Sequence, residues 1–243
     1  MADTRAPAPR TARERARAEL TREIKEEARR QLAATGANGL SLRAVARELG
    51  MVSSALYRYY PSRDDLLTAL IIDAYNALGD AADHAIAGPA PARERWGAAC
   101  HAVRDWARAN PHEYALIYGS PVPGYRAPEA TIGPAARVPL AFAGLVGEAL
   151  SSGELTAPPW ALPVTGALAE QAAALSVTIA ALEPAPAVAD VPPDALVRAV
   201  MGWTQLYGMI SFELFGQLVG SFEPADDLFA HTVVQLAAFV GLR

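Results

Sequence analysis

The sequence predicts an all-α fold, with a small three-helix head at the N-terminus and a larger helical bundle behind it. Apolar residues recur at intervals of three and four along most of the 243 residues, as they do on one face of an α-helix. No stretch alternates between apolar and polar residues as a half-buried strand would. The composition is rich in alanine, 52% hydrophobic and only 7% aromatic, which is typical of closely packed helices.

The head begins with one long helix. A Pro/Ala-rich arm, residues 1–14, should remain unfolded in front of it. Apolar residues then recur at every fourth position over residues 11–35, and Gly36 ends the pattern. The stripe that predicts this helix is formed by Leu20, Ile24, Ala28 and Leu32.

Two short helices follow, separated by Gly50, because glycine adopts the positive φ that ends a helix at little cost. Their apolar stripes are Leu42, Val45, Ala46 and Leu49 on the first and Val52, Ala55, Leu56 and Tyr59 on the second. Pro61 ends the second helix, and Ser62 with Asp65 predicts a capping box for a fourth, which should run to about Ile86. Two short helices across a glycine turn indicate a helix-turn-helix, whose second helix can enter a DNA major groove.

The other face of the second short helix is polar. Ser53, Ser54, Tyr57 and Arg58 lie off the apolar stripe, and all four can hydrogen-bond to phosphates or base edges. No acidic residue lies between Met51 and Arg63. A polar helix face is often only solvated, so the wider sequence has to decide between the two interpretations.

The stretch GMVSSALYRYYPSRDDL closely resembles the DNA-binding signature of the TetR family of bacterial transcription regulators, and the resemblance covers roughly residues 15–80. It implies a DNA-binding domain over residues 15–86, in which Tyr57 and Arg63 match positions that hold phosphates. The fourth helix should then couple the head to the body, as the only covalent route between them before Gly88–Pro91. The predicted DNA-binding residues are Arg43, Ser53, Ser54, Tyr57, Arg58 and Arg63.

Charge is divided unevenly along the chain. Residues 1–63 hold thirteen basic and seven acidic side chains, whereas the remaining residues hold eight and nineteen. A basic first quarter on an acidic remainder is typical of a DNA-reading head on a body that does not bind DNA. Within the arm, Arg5, Arg10 and Arg13 could follow the duplex backbone or enter the minor groove. The alternative is a basic arm that serves only as a solubilising tail.

Composition also indicates in which cellular compartment the protein is expected. The single cysteine, Cys100, excludes an internal disulfide framework and fits a reducing cytoplasm. The first residues lack the apolar core of a signal peptide. The most apolar window, residues 161–182, is interrupted by Pro163, Glu170 and Gln171, so a buried helix is favoured over a membrane span. We expect a cytoplasmic protein with no membrane partner.

Gly88–Pro91 is the predicted domain boundary, and residues 92–243 form the predicted body. The segments NPHEYALIYGSPVPGY and WTQLYGMISFELFG resemble the ligand-binding domain of the WHG subgroup of TetR regulators, although Tyr207 replaces the subgroup's histidine. The resemblance implies a homodimer through the last two helices.

A Pro-rich linker, residues 183–194, interrupts the body. The predicted body helices are 92–109, 111–118, 130–151, 163–182, 194–220 and 225–241, the last two carrying Gly202, Gly208, Gly216 and Gly220.

The body should hold a small apolar effector, because pockets are mostly apolar with aromatic walls and few basic residues remain for an anion. Packing in the core is the alternative for each aromatic side chain. The histidines are scattered and no nucleophile, phosphate or dinucleotide motif occurs, so we expect no enzyme, metal or cofactor. The predicted ligand-binding residues are Trp106, Tyr114, Tyr118, Trp203 and Tyr207.

The sequence therefore favours a ligand-responsive repressor that binds a pseudo-palindromic double-stranded DNA operator as a dimer. Two alternatives remain open. One is a nucleoid-associated DNA-binding protein without effector control. The other is a helical metabolite-binding protein or enzyme whose head no longer reads DNA.

Overall fold

The computed structural model describes residues 11–182, 188 and 190–243. This part of the chain contains ten α-helices and no strand, apart from one isolated bridge between Leu155 and Leu242, which confirms the all-α class. The helices are α1 (Ala12–Thr35), α2 (Leu42–Glu48), α3 (Ser53–Leu56), α4 (Arg63–Ile86), α5 (Ala92–Ala109), α6 (Pro111–Tyr118), α7 (Ile132–Ser151), α8 (Ala167–Ala180), α9 (Pro193–Leu214) and α10 (Asp226–Val240).

The chain divides into two compact units. The head holds the described residues up to Ile71 together with Ser120–Ala127, and the body holds Ile72–Gly119 and Pro128–Arg243. The division therefore falls inside α4, while Gly88–Pro91 lies within the body. α4 is not the whole connection, because the chain also returns to the head for residues 120–127.

The head is built on α1, which begins in a capping box. The Thr11 N–H donates to Glu14 Oε2 at 2.8 Å, and the Glu14 N–H donates to Thr11 Oγ1 at 3.2 Å. Residues 12–14, predicted as part of the arm, are therefore the first turn of α1. The rest of the arm, residues 1–10, lies outside the described residues. Three of the four predicted stripe residues of α1 are buried: Ile24, Ala28 and Leu32.

The second helix of the motif is shorter than predicted, since α3 ends at Leu56 and residues 57–59 form a turn. The Tyr59 N–H donates to the Leu56 carbonyl at 2.8 Å, which tightens the last turn. Gly50 has a φ of 64°, as the break between the two helices requires. At the start of α4, the Ser62 hydroxyl accepts from the Asp65 N–H at 3.1 Å and donates to the Asp65 carboxylate at 2.7 Å.

The body packs around α9, which contacts α7, α8 and α10. Trp96 of α5 and Phe142 of α7 meet edge to face at 4.7 Å in its core. Arg104 is buried and donates two hydrogen bonds of 2.7 Å to Glu213 and one of 3.0 Å to Asp226. Since a buried charge is tolerated when it is fully paired, this cluster fixes α5 to α9 and α10.

Several predicted body boundaries are wrong. α8 begins at Ala167, four residues after the predicted start, and α9 ends at Leu214, so Gly216 and Gly220 lie in turns with a φ of 76°. Gly202 does allow close approach within the chain, because an added Cβ would lie 3.2 Å from Val240 and 3.3 Å from Trp96. Half of the predicted linker, residues 183–187 and 189, lies outside the described residues.

Two smaller predictions can be compared with the structure. Asn110 stands at the N-terminus of α6, but its side chain caps α5 instead, donating to the Trp106 carbonyl at 2.9 Å. The most apolar window was predicted to form a buried helix, but only Ala172 and Ile179 of α8 are buried, so that prediction is wrong. With 14 residues, α8 is also shorter than the roughly 20 that a membrane-spanning helix needs. By length and composition alone, the stretch Glu129–Ser151 could cross a membrane, although the inner face of α7, including Phe142, is buried in the body.

Candidate functional site

The predicted DNA-reading face of α2 and α3 is accessible in the head. Arg43, Ser54, Tyr57 and Arg58 are exposed, and Ser53 is half-buried. Leu56 points the other way and is fully buried, which fixes the short helix against the head. The face therefore offers hydroxyl, phenol and guanidinium groups, and these groups suit both phosphates and base edges.

Val52 lies at the start of α3, next to the predicted DNA-binding residue Ser53, and is also accessible. The three-four spacing assigned Val52 to the buried stripe, but its side chain is 70% exposed. Val52 precedes the first turn of α3 as its N-cap residue, so helical spacing does not apply to it. An exposed valine at the start of a recognition helix can contact the methyl group of thymine.

Arg63 is held within the head. Its Nη2 donates to the Ala37 carbonyl at 2.7 Å, and its Nε donates to the Leu40 carbonyl at 3.3 Å. The guanidinium thus fastens the first residue of α4 to the turn that precedes α2. This arrangement supports a positioning role for Arg63, while a phosphate contact stays a prediction.

The predicted basic arm is described only at its end. Arg13 is exposed on the first turn of α1, and Arg5 and Arg10 lie outside the described residues. A second basic residue of α1, Arg17, lies over the Tyr59 ring, with its Cζ 5.1 Å from the ring centroid. This contact links α1 to the turn that ends α3.

Family comparisons assign both parts of the chain. Residues 24–70 match the model described as bacterial regulatory proteins, tetR family, and residues 96–236 match the model described as tetracyclin repressor-like, C-terminal domain. The chain belongs to the TetR family. It is a transcriptional regulator with a helix-turn-helix DNA-binding domain. The WHG subgroup is consistent with the second match and stays a prediction.

Relatives of known name and solved structures of similar fold agree with this assignment. HTH-type transcriptional regulators of Mycobacterium bovis and Mycobacterium tuberculosis are 41% identical over 209 residues, which covers 83% of this chain and 83% of each relative. The solved regulatory protein SCO4313 has a TM-score of 0.72 at 34% identity, covering 94% of this chain and 100% of its own. A Rhodococcus protein of unknown function, with a TM-score of 0.67 at 22% identity, covers 98% of this chain and 99% of its own and shares the fold.

Four of the five predicted ligand-binding residues of this TetR-family regulator form one aromatic cluster in the body. Tyr118 and Tyr207 have ring centroids 4.3 Å apart, Trp203 lies 5.5 Å from Tyr207, and Tyr114 lies 5.2 Å from Tyr118. Trp106 makes none of these ring contacts, although it packs partly buried against the body core. The cluster joins α6 to α9, and we use the name aromatic cluster for Tyr114, Tyr118, Trp203 and Tyr207.

Hydrogen bonding within the aromatic cluster is incomplete. The Tyr114 hydroxyl is paired, since it lies 2.9 Å from Ser211 Oγ and donates to the Tyr207 carbonyl at 3.3 Å. Trp203 Nε1 and Tyr207 Oη are buried and lack a hydrogen-bond partner of acceptable geometry among the described residues. The raised pKa of Tyr207 is due first to desolvation, but its hydroxyl also lies close enough to the Tyr118 hydroxyl and to the Trp203 Nε1–H for both groups to affect that pKa.

Burial keeps the aromatic cluster uncharged. It raises the pKa of Tyr114 to about 12, and it also raises the pKa values of Tyr118 and Tyr207. The phenols are therefore neutral near pH 7, and the cluster offers polar atoms without net charge. Such a surface suits an uncharged, largely apolar molecule better than an anion.

Features of a catalytic or metal site are sparse. In the described part of the chain, no group of three or more His, Cys, Asp or Glu side chains is arranged to hold a metal ion. Cys100 is fully buried, and desolvation raises the pKa of its thiol, which keeps it protonated and unreactive.

Proposed function

We propose that this protein is a cytoplasmic, ligand-responsive repressor that binds a pseudo-palindromic operator as a homodimer and is released by a small apolar effector. The observation that carries the DNA-binding part is the accessible face of α2 and α3 with Arg58, Tyr57 and Val52 on it. We propose no catalytic role.

The homodimer is proposed to form through the last two helices. Exposed apolar side chains support this, because Phe212 on α9 is 56% exposed and Val234 on α10 is 50% exposed. Gly208 lies one turn before Phe212 on the same face of α9. No atom stands within 4 Å of the position that a Cβ at Gly208 would take. A second copy could therefore approach α9 closely at this residue.

The effector is proposed to bind at the aromatic cluster. Trp203 Nε1 and Tyr207 Oη support this, since both are buried without a hydrogen bond of acceptable geometry, and a ligand could offer them a better partner. The fourth helix is proposed as the moving part. It contributes side chains to both units, and Tyr75 of its second half lies 6.0 Å from Tyr118 of the cluster.

The DNA-binding proposal is tested by Arg58→Ala on two kinds of DNA. The operator is first recovered with the wild-type protein by selection from a random library. Arg58→Ala should then weaken operator binding by about 1–3 kcal/mol, relax preference at one base pair, and change binding to random DNA little. Arg93→Ala, which removes an exposed arginine of the body, is the matched control and should leave both affinities unchanged.

Binding to operator and to random DNA also distinguishes the proposed repressor from the two alternative functions. A nucleoid-associated protein would bind operator and random DNA with similar affinity, so that selection would recover no common site. A metabolite-binding protein or enzyme with a non-functional head would bind neither DNA at low salt. Equal losses on operator and random DNA for Arg58→Ala would contradict its role in reading bases.

A further inference from the structure

A cavity of the body lies apart from the aromatic cluster. It has a volume of about 430 Å³, within the range of small-molecule sites, and none of the five predicted ligand-binding residues lines it. It opens between the segment that precedes α8 and the two helices α9 and α10. The apolar part of its wall is formed by Trp160, Leu162, Val164, Val197, Met201 and Phe239.

The aromatic wall of this cavity is preformed. The Trp160 and Phe239 rings are stacked, with centroids 5.5 Å apart and an angle of 24° between the planes. The segment that carries Trp160 is fastened to the end of α10, because the Thr156 N–H donates to the Gly241 carbonyl at 2.8 Å. Gly241 is required for this approach, since an added Cβ would lie 2.4 Å from the Thr156 carbonyl oxygen.

The cavity wall contains one cation, Arg198, and one anion, Asp194, and its other residues are apolar or uncharged. The Arg198 side chain is only 7% exposed, and its Nη1 donates to Asp194 Oδ2 at 2.6 Å. Its Nε donates to the Val240 carbonyl at 3.2 Å. No hydrogen bond is found for Nη2 among the residues that the structure describes, so this donor remains available to an occupant of the cavity.

We propose that this cavity binds an uncharged, planar apolar molecule whose carbonyl oxygen accepts a hydrogen bond from Arg198 Nη2. Asp194 already balances the charge of Arg198, so the site favours a neutral acceptor over a carboxylate, which Asp194 would repel. The stacked rings of Trp160 and Phe239 offer a flat apolar wall that suits an aromatic body. The site is distinct from the effector site proposed at the aromatic cluster.

Three probes of nearly equal shape test the chemistry by equilibrium dialysis on the full chain: 2-acetylnaphthalene, 2-ethylnaphthalene and 2-naphthoate. A hydrogen bond from a charged donor should favour the ketone over the hydrocarbon by about tenfold or more. The naphthoate should bind more weakly than the ketone. Equal binding of ketone and hydrocarbon, or tighter binding of the naphthoate, would overturn the proposal.

Two variants locate the site. Arg198→Lys keeps a cation beside Asp194 but removes Nη2, and should bring the ketone affinity down to that of the hydrocarbon. Trp160→Ala removes a half-exposed wall residue, so it should fold even if Arg198→Lys does not. It should weaken ketone and hydrocarbon by a similar factor and preserve their ratio.

The matched control is Leu175→Ala on α8, a partly exposed residue outside the cavity wall, which should change neither affinity. Ketone binding that survives Trp160→Ala but is lost in Tyr207→Phe would place the ligand at the aromatic cluster and overturn the proposal. The proposal would also be overturned if the ketone did not bind and if, in addition, Trp160→Ala converted a dimeric wild-type protein to a monomer. The cavity would then be covered by a second copy of the chain.

Discussion

Two buried tyrosines that lie side by side differ in how their hydroxyl groups are satisfied. Tyr114 has partners in Ser211 and the Tyr207 carbonyl, whereas Tyr207 Oη has no partner of acceptable geometry in the described part of the body. A buried polar group without a partner lowers stability, and proteins commonly retain such groups where a function requires them. This contrast allows the packing role of the cluster to be separated from its proposed ligand role.

We therefore expect the two Tyr→Phe variants to have different effects on the free energy of unfolding. Tyr114→Phe removes a paired hydroxyl and should lower the free energy of unfolding by about 1 kcal/mol. Tyr207→Phe removes an unpaired one and should leave stability unchanged or raise it by up to about 1 kcal/mol. Urea unfolding followed by circular dichroism measures both. Equal destabilisation by the two changes would mean that Tyr207 Oη has a good partner after all.

Among the larger elements, the segment Ser120–Ala127 has the position that the sequence predicts least well. It follows α6, which carries Tyr114 and Tyr118, and it belongs to the head. There the Tyr125 hydroxyl lies 2.8 Å from Thr68 Oγ1 of α4. This segment, which contains two prolines and a glycine, is thus a fixed component of the head, held to the first half of α4.

Tyr125→Phe should release this segment from α4. Loss of one partly buried hydrogen bond should lower stability by about 1 kcal/mol and make residues 120–127 more sensitive to proteolysis. Limited proteolysis with mass spectrometry locates the cleavage, and urea unfolding gives the stability. Tyr57→Phe, which removes an exposed hydroxyl from the same unit, is the control and should change neither result. An unchanged cleavage pattern in Tyr125→Phe would show that the segment is held by other contacts.

At the scale of the whole molecule, the proposed dimer sets a constraint on the DNA. Two recognition helices related by a two-fold axis must meet equivalent grooves separated by one helical turn, roughly 34–36 Å, or a multiple of it. The exposed apolar residues of α9 and α10, Phe212 and Val234, are the proposed contacts that create this symmetry.

We expect the operator to be a pseudo-palindrome with half-site centres about one helical turn apart or more. Footprinting of the selected operator gives the spacing, and sedimentation gives the number of chains bound. Val234→Asp should weaken the dimer and operator binding together, while Arg93→Ala should affect neither. A monomer that protects one asymmetric half-site at working concentrations would be incompatible with the proposed symmetry.

Much of the fold follows from local sequence signals, and the errors have identifiable causes. The bounds of α5 and α6 were predicted to the residue, because strong periodicity meets Pro91, Asn110 and Pro111. Val52 was misplaced because three-four spacing was extended across a helix start. The predictions for α8 and α9 ran too far, since apolar composition continues into segments whose conformation depends on tertiary contacts.

Prediction of the sites followed a similar pattern. Polar residues on α2 and α3 could be selected because one short motif fixes their faces. Four of the five predicted ligand-binding residues lie together in the aromatic cluster, whereas Trp106 makes none of its ring contacts, a difference that residue type alone does not reveal. The Arg198 cavity was missed, since it combines a loop, the start of α9 and the end of α10.

The division inside α4 affects how the DNA-binding part could be studied in isolation. A fragment ending at Gly88 would carry Leu78, Ala82 and Ile86, which are buried in the body of the whole chain, on a newly solvated surface. Such a fragment would also lack Tyr125 and with it the contact to Thr68. Excision at the apparent linker would therefore create an aggregation-prone helix face and an incomplete head, so DNA-binding studies require the full-length chain.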